Sequence, residues 1–173
     1  GHPAKAPYHI FQQAGDKVRG GVIIGLGARL QVFQNASICD ITAQDEFDLS
    51  RPGRKKCAFF CISSDQDSTF DFLSSLFFSF LFIKLVRYAD AEGVDGKLPI
   101  GVNFVLDEFP NLGVINDFKK KISTVRSRNI GISVIFQNIA QLKNRYPNDE
   151  YLEILGNCDT QIALGCTDEV TAR

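Results

Sequence analysis

Apolar positions change their period along the chain. Over 7–17 and 21–35 they recur at mixed three- and four-residue spacing (Ile10, Phe11, Ala14, Val18; then Ile23, Leu26, Leu30, Phe33), which predicts two helices broken at Gly20-Gly21. After Asp48 the pattern alternates. A turn at Arg51-Pro52-Gly53-Arg54 leads into the continuous run KCAFFCIS over 56–63, expected as a short buried strand. Polar residues 65–69 supply a turn with cap residues, and a phenylalanine-rich helix is expected to reach about Ala91. A glycine-containing loop over 92–99 precedes a second strand over 100–106 (IGVNFVL), stopped by Asp107-Glu108. A helix over 115–127, a third strand over 131–136, helices over 139–145 and 150–157, and a fourth strand over 160–164 (TQIAL) complete the series. Short apolar strands alternating with helices predict an α/β fold, a parallel sheet with flanking helices covering both faces. The helical residues 1–50 form a region of different character from 51–173.

The run Leu76-Phe77-Phe78-Ser79-Phe80-Leu81-Phe82-Ile83 is the most apolar stretch. A membrane span needs about 20 mostly apolar residues, and here Ser74, Ser75, Ser79, Lys84 and Arg87 interrupt. The run reads instead as a helix covered on most sides in a helix-on-sheet layer. Gly21 to Gly27 (GVIIGLG) has neither phosphate-loop nor dinucleotide-loop spacing and is set aside.

Composition narrows the class. With 173 residues, 45% apolar and 23% charged, the chain can build a core, and 19 basic against 20 acidic residues exclude a uniformly basic nucleic-acid binder. No methionine occurs, and the opening Gly1-His2-Pro3 reads as the remnant of a cleaved tag, so a piece of a longer protein is expected. Five cysteines (39, 57, 61, 158, 166) form no CxxC pair and are expected as reduced, small core residues. Both histidines lie in the first nine residues, which leaves no partner for a Ser-His-Asp or Cys-His nucleophile elsewhere. From Phe118 to Asn148 there are seven basic residues and no acidic one, so this block is locally cationic within a chain of net charge −1.

Three sets of residues carry candidate chemistry. An apolar strand that ends in Asp107-Glu108 puts two carboxylates at the carboxyl edge of the sheet, where α/β proteins bind ligands. In nucleotide hydrolases this is the Walker B arrangement, one acid holding the Mg²⁺ shell and the other activating water; a plain acidic turn gives the same pattern. Gln137, after the next strand, is an amide that can bond a γ-phosphate oxygen or the attacking water, or can simply start a helix. Arg126 and Arg128, at a helix end, are either a source of an arginine finger or cations complementing the macrodipole.

The stretch from VLDEFPNLGVINDF through VRSRNIGISVIFQNIAQL to GNCDTQIAL resembles the TraG/TraD family of coupling ATPases of type IV secretion. The resemblance covers Cys57 to Arg173, carried by the Asp-Gln-Asp turn, DEF-x-N-x-G, the RSR helix end, Gln137 with Gln141, and GNCDT. It implies a partial RecA-like P-loop NTPase sheet, preceded by the last helices of an all-α domain. It also implies a homo-hexameric motor, fuelled by ATP with Mg²⁺, on the cytoplasmic side of a bacterial cell-membrane anchor. The expected partners are DNA, a relaxase and the secretion-channel proteins.

Residue by residue, the resemblance makes Asp107 the Mg²⁺-shell and nucleotide-site carboxylate and Glu108 the catalytic base. Gln137 becomes the γ-phosphate sensor and Arg128, or else Arg126, a finger acting on a neighbouring subunit. Lys119, Lys120, Lys121 and Lys143 become contacts to the DNA backbone. The family's phosphate loop is not among these residues, and its sheet order places that loop's strand between 131–136 and 160–164. The chain by itself is therefore expected to bind no cofactor. A non-catalytic substrate-receptor module, or another hexameric DNA translocase, is the alternative reading.

Overall fold

In the computed structural model, which describes residues 2–63, 71–165 and Thr171, the chain forms two units, 1–47 and 48–173. The first consists of α1 (Lys5–Gln13), α2 (Asp16–Leu30) running into a 3₁₀ turn over Gln31–Gln34, and α3 (Ala36–Thr42). The helix break expected at Gly20-Gly21 lies instead at Ala14-Gly15, where both residues are extended and Asp16 opens the new helix. Glycine lowers helix propensity by about 1 kcal/mol without breaking the geometry, so α2 runs straight through the pair. Asn35 caps α3 by accepting a 2.9 Å hydrogen bond from the Ser37 amide. Ile38 is buried, whereas Val22, Ile23, Ile24 and Leu26 of α2 are exposed.

The second unit is built on α4 (Asp71–Glu92) and two parallel strands, β1 (Val102–Leu106) and β2 (Ile130–Val134), in register Val102 with Ile130. Between the strands lie a 3₁₀ turn (Phe109–Leu112), α5 (Phe118–Thr124) and a second 3₁₀ turn (Val125–Arg128); α6 (Ile139–Arg145) and α7 (Glu150–Gly156) follow. Phe78, Leu81, Phe82, Leu85 and Ala89 form one buried stripe of α4 at helical spacing. Phe82 stacks on Phe104 of β1 with ring centroids 4.2 Å apart, and Leu106 is buried on the same side of the strand. By length and composition α4 is long and apolar enough to cross a membrane. Here its buried stripe packs on the sheet, while Leu76, Phe80 and Ile83 remain exposed. It is therefore covered on one side, not on most sides as expected.

An α/β arrangement is present, with a smaller sheet than the periodicity predicts. Residues 56–63 and 160–164 form no strand, and Phe60, Ile62, Ile162 and Leu164 are 79–97% exposed. Apolar β-formers specify a segment that fits a pleated, half-buried surface; without ladder partner and cover, the run stays irregular. One face of the two-stranded sheet is covered, and Asn103 and Val105 on the other are exposed. The turn predicted at 65–69 and Cys166 lie outside the described residues. Three cysteines expected in the core are exposed, Cys57 and Cys61 on the irregular run 56–63 and Cys39 on the open side of α3, and Cys158 is half-buried. Burial raises the Cys158 thiol pKa, and the adjacent Asp159 carboxylate adds to the rise.

Candidate functional site

The carboxyl ends of β1 and β2 are locked to one another beyond the regular ladder. Ile135 N–H donates to the Leu106 carbonyl and Phe109 N–H donates to the Ile135 carbonyl, both at 2.9 Å. Asp107 and Glu108 are thereby held opposite the residues that follow β2. Asp107 is exposed, and its Oδ1 accepts from the Glu108 amide at 3.0 Å. Glu108 has φ 45°, ψ 44°, a left-handed conformation unusual for a residue with a side chain. That turn directs the chain into the 3₁₀ segment, where the Asn111 amide donates to the Glu108 carbonyl at 2.7 Å.

The decisive contact crosses the strands: Gln137 Nε2 donates to Glu108 Oε1 at 3.0 Å. The other carboxylate oxygen, Glu108 Oε2, is buried and has no hydrogen-bond partner among the described residues. A buried carboxylate oxygen left unpaired is energetically unfavourable and free to accept a proton or a donor. Asp107, Glu108 and Asn111, together with Cys61, Ile62 and Ser63, line an open cleft of about 510 Å³. The three residues named from the sequence at this edge (Asp107, Glu108, Gln137) thus converge. As a Mg²⁺ site the donor set is partial, one exposed carboxylate beside a half-buried one, and no cluster of three or more His, Cys, Asp or Glu residues exists among the described residues.

The chain matches the family of type IV secretory system conjugative DNA transfer proteins over residues 2–173. It belongs to that family. No curated protein and no solved structure matches it.

The remaining candidates of this conjugative DNA-transfer chain lie elsewhere. Arg128 precedes β2 and so sits at the amino edge of the sheet, opposite Glu108. Its Nε donates to Asp90 Oδ1 at 2.9 Å, and its Nη1 to the Thr124 carbonyl at 3.2 Å. Arg126 is far more exposed and pairs with Asp159 at 2.7 Å. Lys119 bonds Glu153 at 3.1 Å and Glu150 at 3.4 Å; the Glu153 hydrogen bond raises its pKa, partial desolvation opposing. Lys120 pairs weakly with Asp117 at 3.8 Å. Lys121 donates to the Asn116 carbonyl, and burial lowers its pKa against the pull of Asp117. Lys143 lies 5.8 Å above the Tyr151 ring. The cationic block of the sequence is thus partly neutralised in space by the glutamates of α7.

Residues not singled out from the sequence support the site from beneath. Phe109 is fully buried, stacked on Tyr146 at 5.2 Å and packed on Phe118 at 4.6 Å. The Tyr146 hydroxyl accepts from the Ile115 amide at 3.2 Å. The aromatic character of the DEF triplet was visible in the sequence; its partner, 37 positions further on, was not.

Proposed function

We propose that this chain is the hydrolysis-and-sensing part of an ATP-driven coupling motor, RecA-like in fold, that delivers a relaxase–DNA substrate to the secretion channel. The observation that carries the reading is the Gln137–Glu108 hydrogen bond between adjacent parallel strand ends, with Glu108 Oε2 buried and unpartnered. A carboxylate oriented by an amide, with its second oxygen free, is the arrangement a general base needs. Mg²⁺-bound ATP would supply the γ-phosphoryl group, and solvent the attacking water. Glu108 would be the base that takes the proton of that water. Asp107, exposed beside it, would hold the metal's water shell, and Gln137, bonded to Glu108, would sense the γ-phosphate.

Arg128 fits a role in trans. The strands separate it from Glu108 by roughly 15–20 Å at about 3.3 Å per residue, beyond the reach of an arginine side chain within one subunit. A homo-hexamer supplies the neighbour. Lys143, with no carboxylate ion pair among the described residues, and Lys120, largely exposed with one distant pair at 3.8 Å, are the better placed for DNA phosphates, and Lys119, held by two glutamates, the least. The family's part in conjugative DNA transfer supports an involvement with DNA and the secretion system; a relaxase and channel proteins as the particular partners, and a cytoplasmic place beneath a membrane anchor, belong to the same proposal.

The test is Glu108→Gln in a full-length coupling protein that carries this segment with a phosphate loop. The amide keeps the shape and cannot accept a proton, so turnover should fall about 10²–10⁴-fold with nucleotide binding retained. A kcat within about threefold of wild type overturns the reading, because a general base contributes far more than that.

A further inference from the structure

We propose that Asp90, on the last turn of α4, is the positioning residue that aims Arg128 toward a neighbouring subunit; this rests on the reading of Arg128 as a finger acting in trans. Asp90 approaches the guanidinium along one edge, Nε to Oδ1 at 2.9 Å and Nη2 to Oδ2 at 3.4 Å. Nη1 is engaged on the other side, by the Thr124 carbonyl at 3.2 Å and Ser127 Oγ at 3.4 Å. The planar fork is therefore fixed in orientation, with capacity remaining on Nη2.

The backbone beneath it is fixed as well. Leu98 N–H donates to the Arg128 carbonyl at 3.1 Å, and Asn129 Nδ2 donates to the Leu98 carbonyl at 3.2 Å. Asn129 itself adopts φ 64°, a left-handed conformation that ends the 3₁₀ turn and starts β2. Arg126, two positions earlier, has one exposed carboxylate partner and a side chain 82% exposed. Its orientation is set by far less. A finger loses its value when the guanidinium wanders, since a misplacement of about 1 Å can cost 10²-fold in rate.

The same helix reaches the other edge of the sheet. Asp71, in its first turn, pairs with Arg145 at 3.5 Å, and Ser75 Oγ donates to the Val114 carbonyl in the loop beyond Glu108. A 22-residue helix is a rigid body about 33 Å long. Asp90 thus references the arginine to the element that also abuts the subunit's own carboxylate loop.

The experiment is a double-mutant cycle of Asp90→Ala and Arg128→Ala on ATP turnover by assembled rings of the full-length protein, with Asp90→Asn as an isosteric second variant. Asp90→Ala leaves the Arg128 guanidinium, 26% exposed, without its carboxylate, a charge that Asp90→Asn keeps bonded and that the double variant removes. Arg128→Ala is expected to lower kcat on the order of 10³-fold in rings only. Asp90→Ala should lower kcat about 10- to 100-fold with KM for ATP unchanged, and should add nothing to Arg128→Ala. Asp90→Asn, which keeps one acceptor, should fall between. If Arg128→Ala collapses turnover while Asp90→Ala leaves it at wild type, or if the two losses multiply, the positioning role is overturned and the finger survives. If Arg128→Ala itself leaves ring turnover unchanged, the finger reading fails and this inference with it.

Discussion

Glu108 combines two unfavourable features, a left-handed backbone and a buried carboxylate oxygen without a partner. The first is worth roughly 1–2 kcal/mol against folding and persists only if neighbours over-determine it. They do so through Phe109, whose ring is held between Phe118 and Tyr146 while its amide bonds Ile135. Tyr146 is the residue to test. Tyr146→Phe keeps the stack and deletes the hydroxyl that the buried Ile115 amide donates to, so a loss of about 1–3 kcal/mol is expected by chemical denaturation. Its pH signature separates it from a simple packing defect. Burial pushes the Tyr146 pKa up to about 12, while the unfolded chain releases that proton near the ordinary value of about 10. Between those values the folded state binds more protons, so stability falls as pH rises through the window, by about 2–3 kcal/mol in all. The phenylalanine variant should lack that part of the alkaline decline. An unchanged slope would show that the hydroxyl is not held in its buried, neutral form.

At the scale of elements, the loop after β1 meets the start of α4 at the Ser75–Val114 hydrogen bond and, beside it, at a close approach of backbone. Gly113 has φ 76°, and a Cβ there would lie 2.7 Å from the Asp71 carbonyl oxygen. Gly113→Ala therefore combines a conformation that side chains avoid with a backbone collision, and should destabilise the chain on the order of 2–4 kcal/mol. A thermal midpoint equal to wild type would mean that the loop reroutes freely and that its seating on α4 is unimportant. Elements of this kind were legible in the sequence to different depths. β1, β2, α6 and α7 begin and end within two residues of the positions that periodicity assigns. Each carries its own boundary signal, such as Asn138, whose side chain caps α6 at 2.9 Å. The runs 56–63 and 160–164 were misread because apolar alternation encodes suitability for a sheet and not the presence of a neighbouring strand. Asp107, Glu108 and Gln137 were legible because strand ends declare themselves. Asp90 was not, since its pairing with Arg128 spans 38 positions and no local spacing encodes it.

For the molecule as a whole, the residues proposed for hydrolysis and the means of holding nucleotide are unequally represented. Asp107, Glu108 and Gln137 converge at one sheet edge, yet none of the 173 residues forms a GxxxxGK[ST] loop. Without that loop there are no convergent backbone amides for a β-phosphate and no lysine for the γ-phosphate. Asp107 alone does not compensate, because Mg²⁺ keeps most of its waters and is held chiefly when phosphate oxygens complete its shell. The 173-residue chain is therefore expected to show neither ATP hydrolysis nor measurable MgATP affinity. Its unpaired sheet edges and exposed apolar positions (Phe60, Ile62, Val105, Ile135, Leu164) act in the same preparation, as templates for self-association. Calorimetric titration with MgATP, run beside light scattering, reads both consequences. Heat of binding should be absent and the scattering mass should exceed that of one chain. Micromolar nucleotide affinity in a clean monomer would overturn the argument, since it would require a phosphate cradle built from residues other than a phosphate loop.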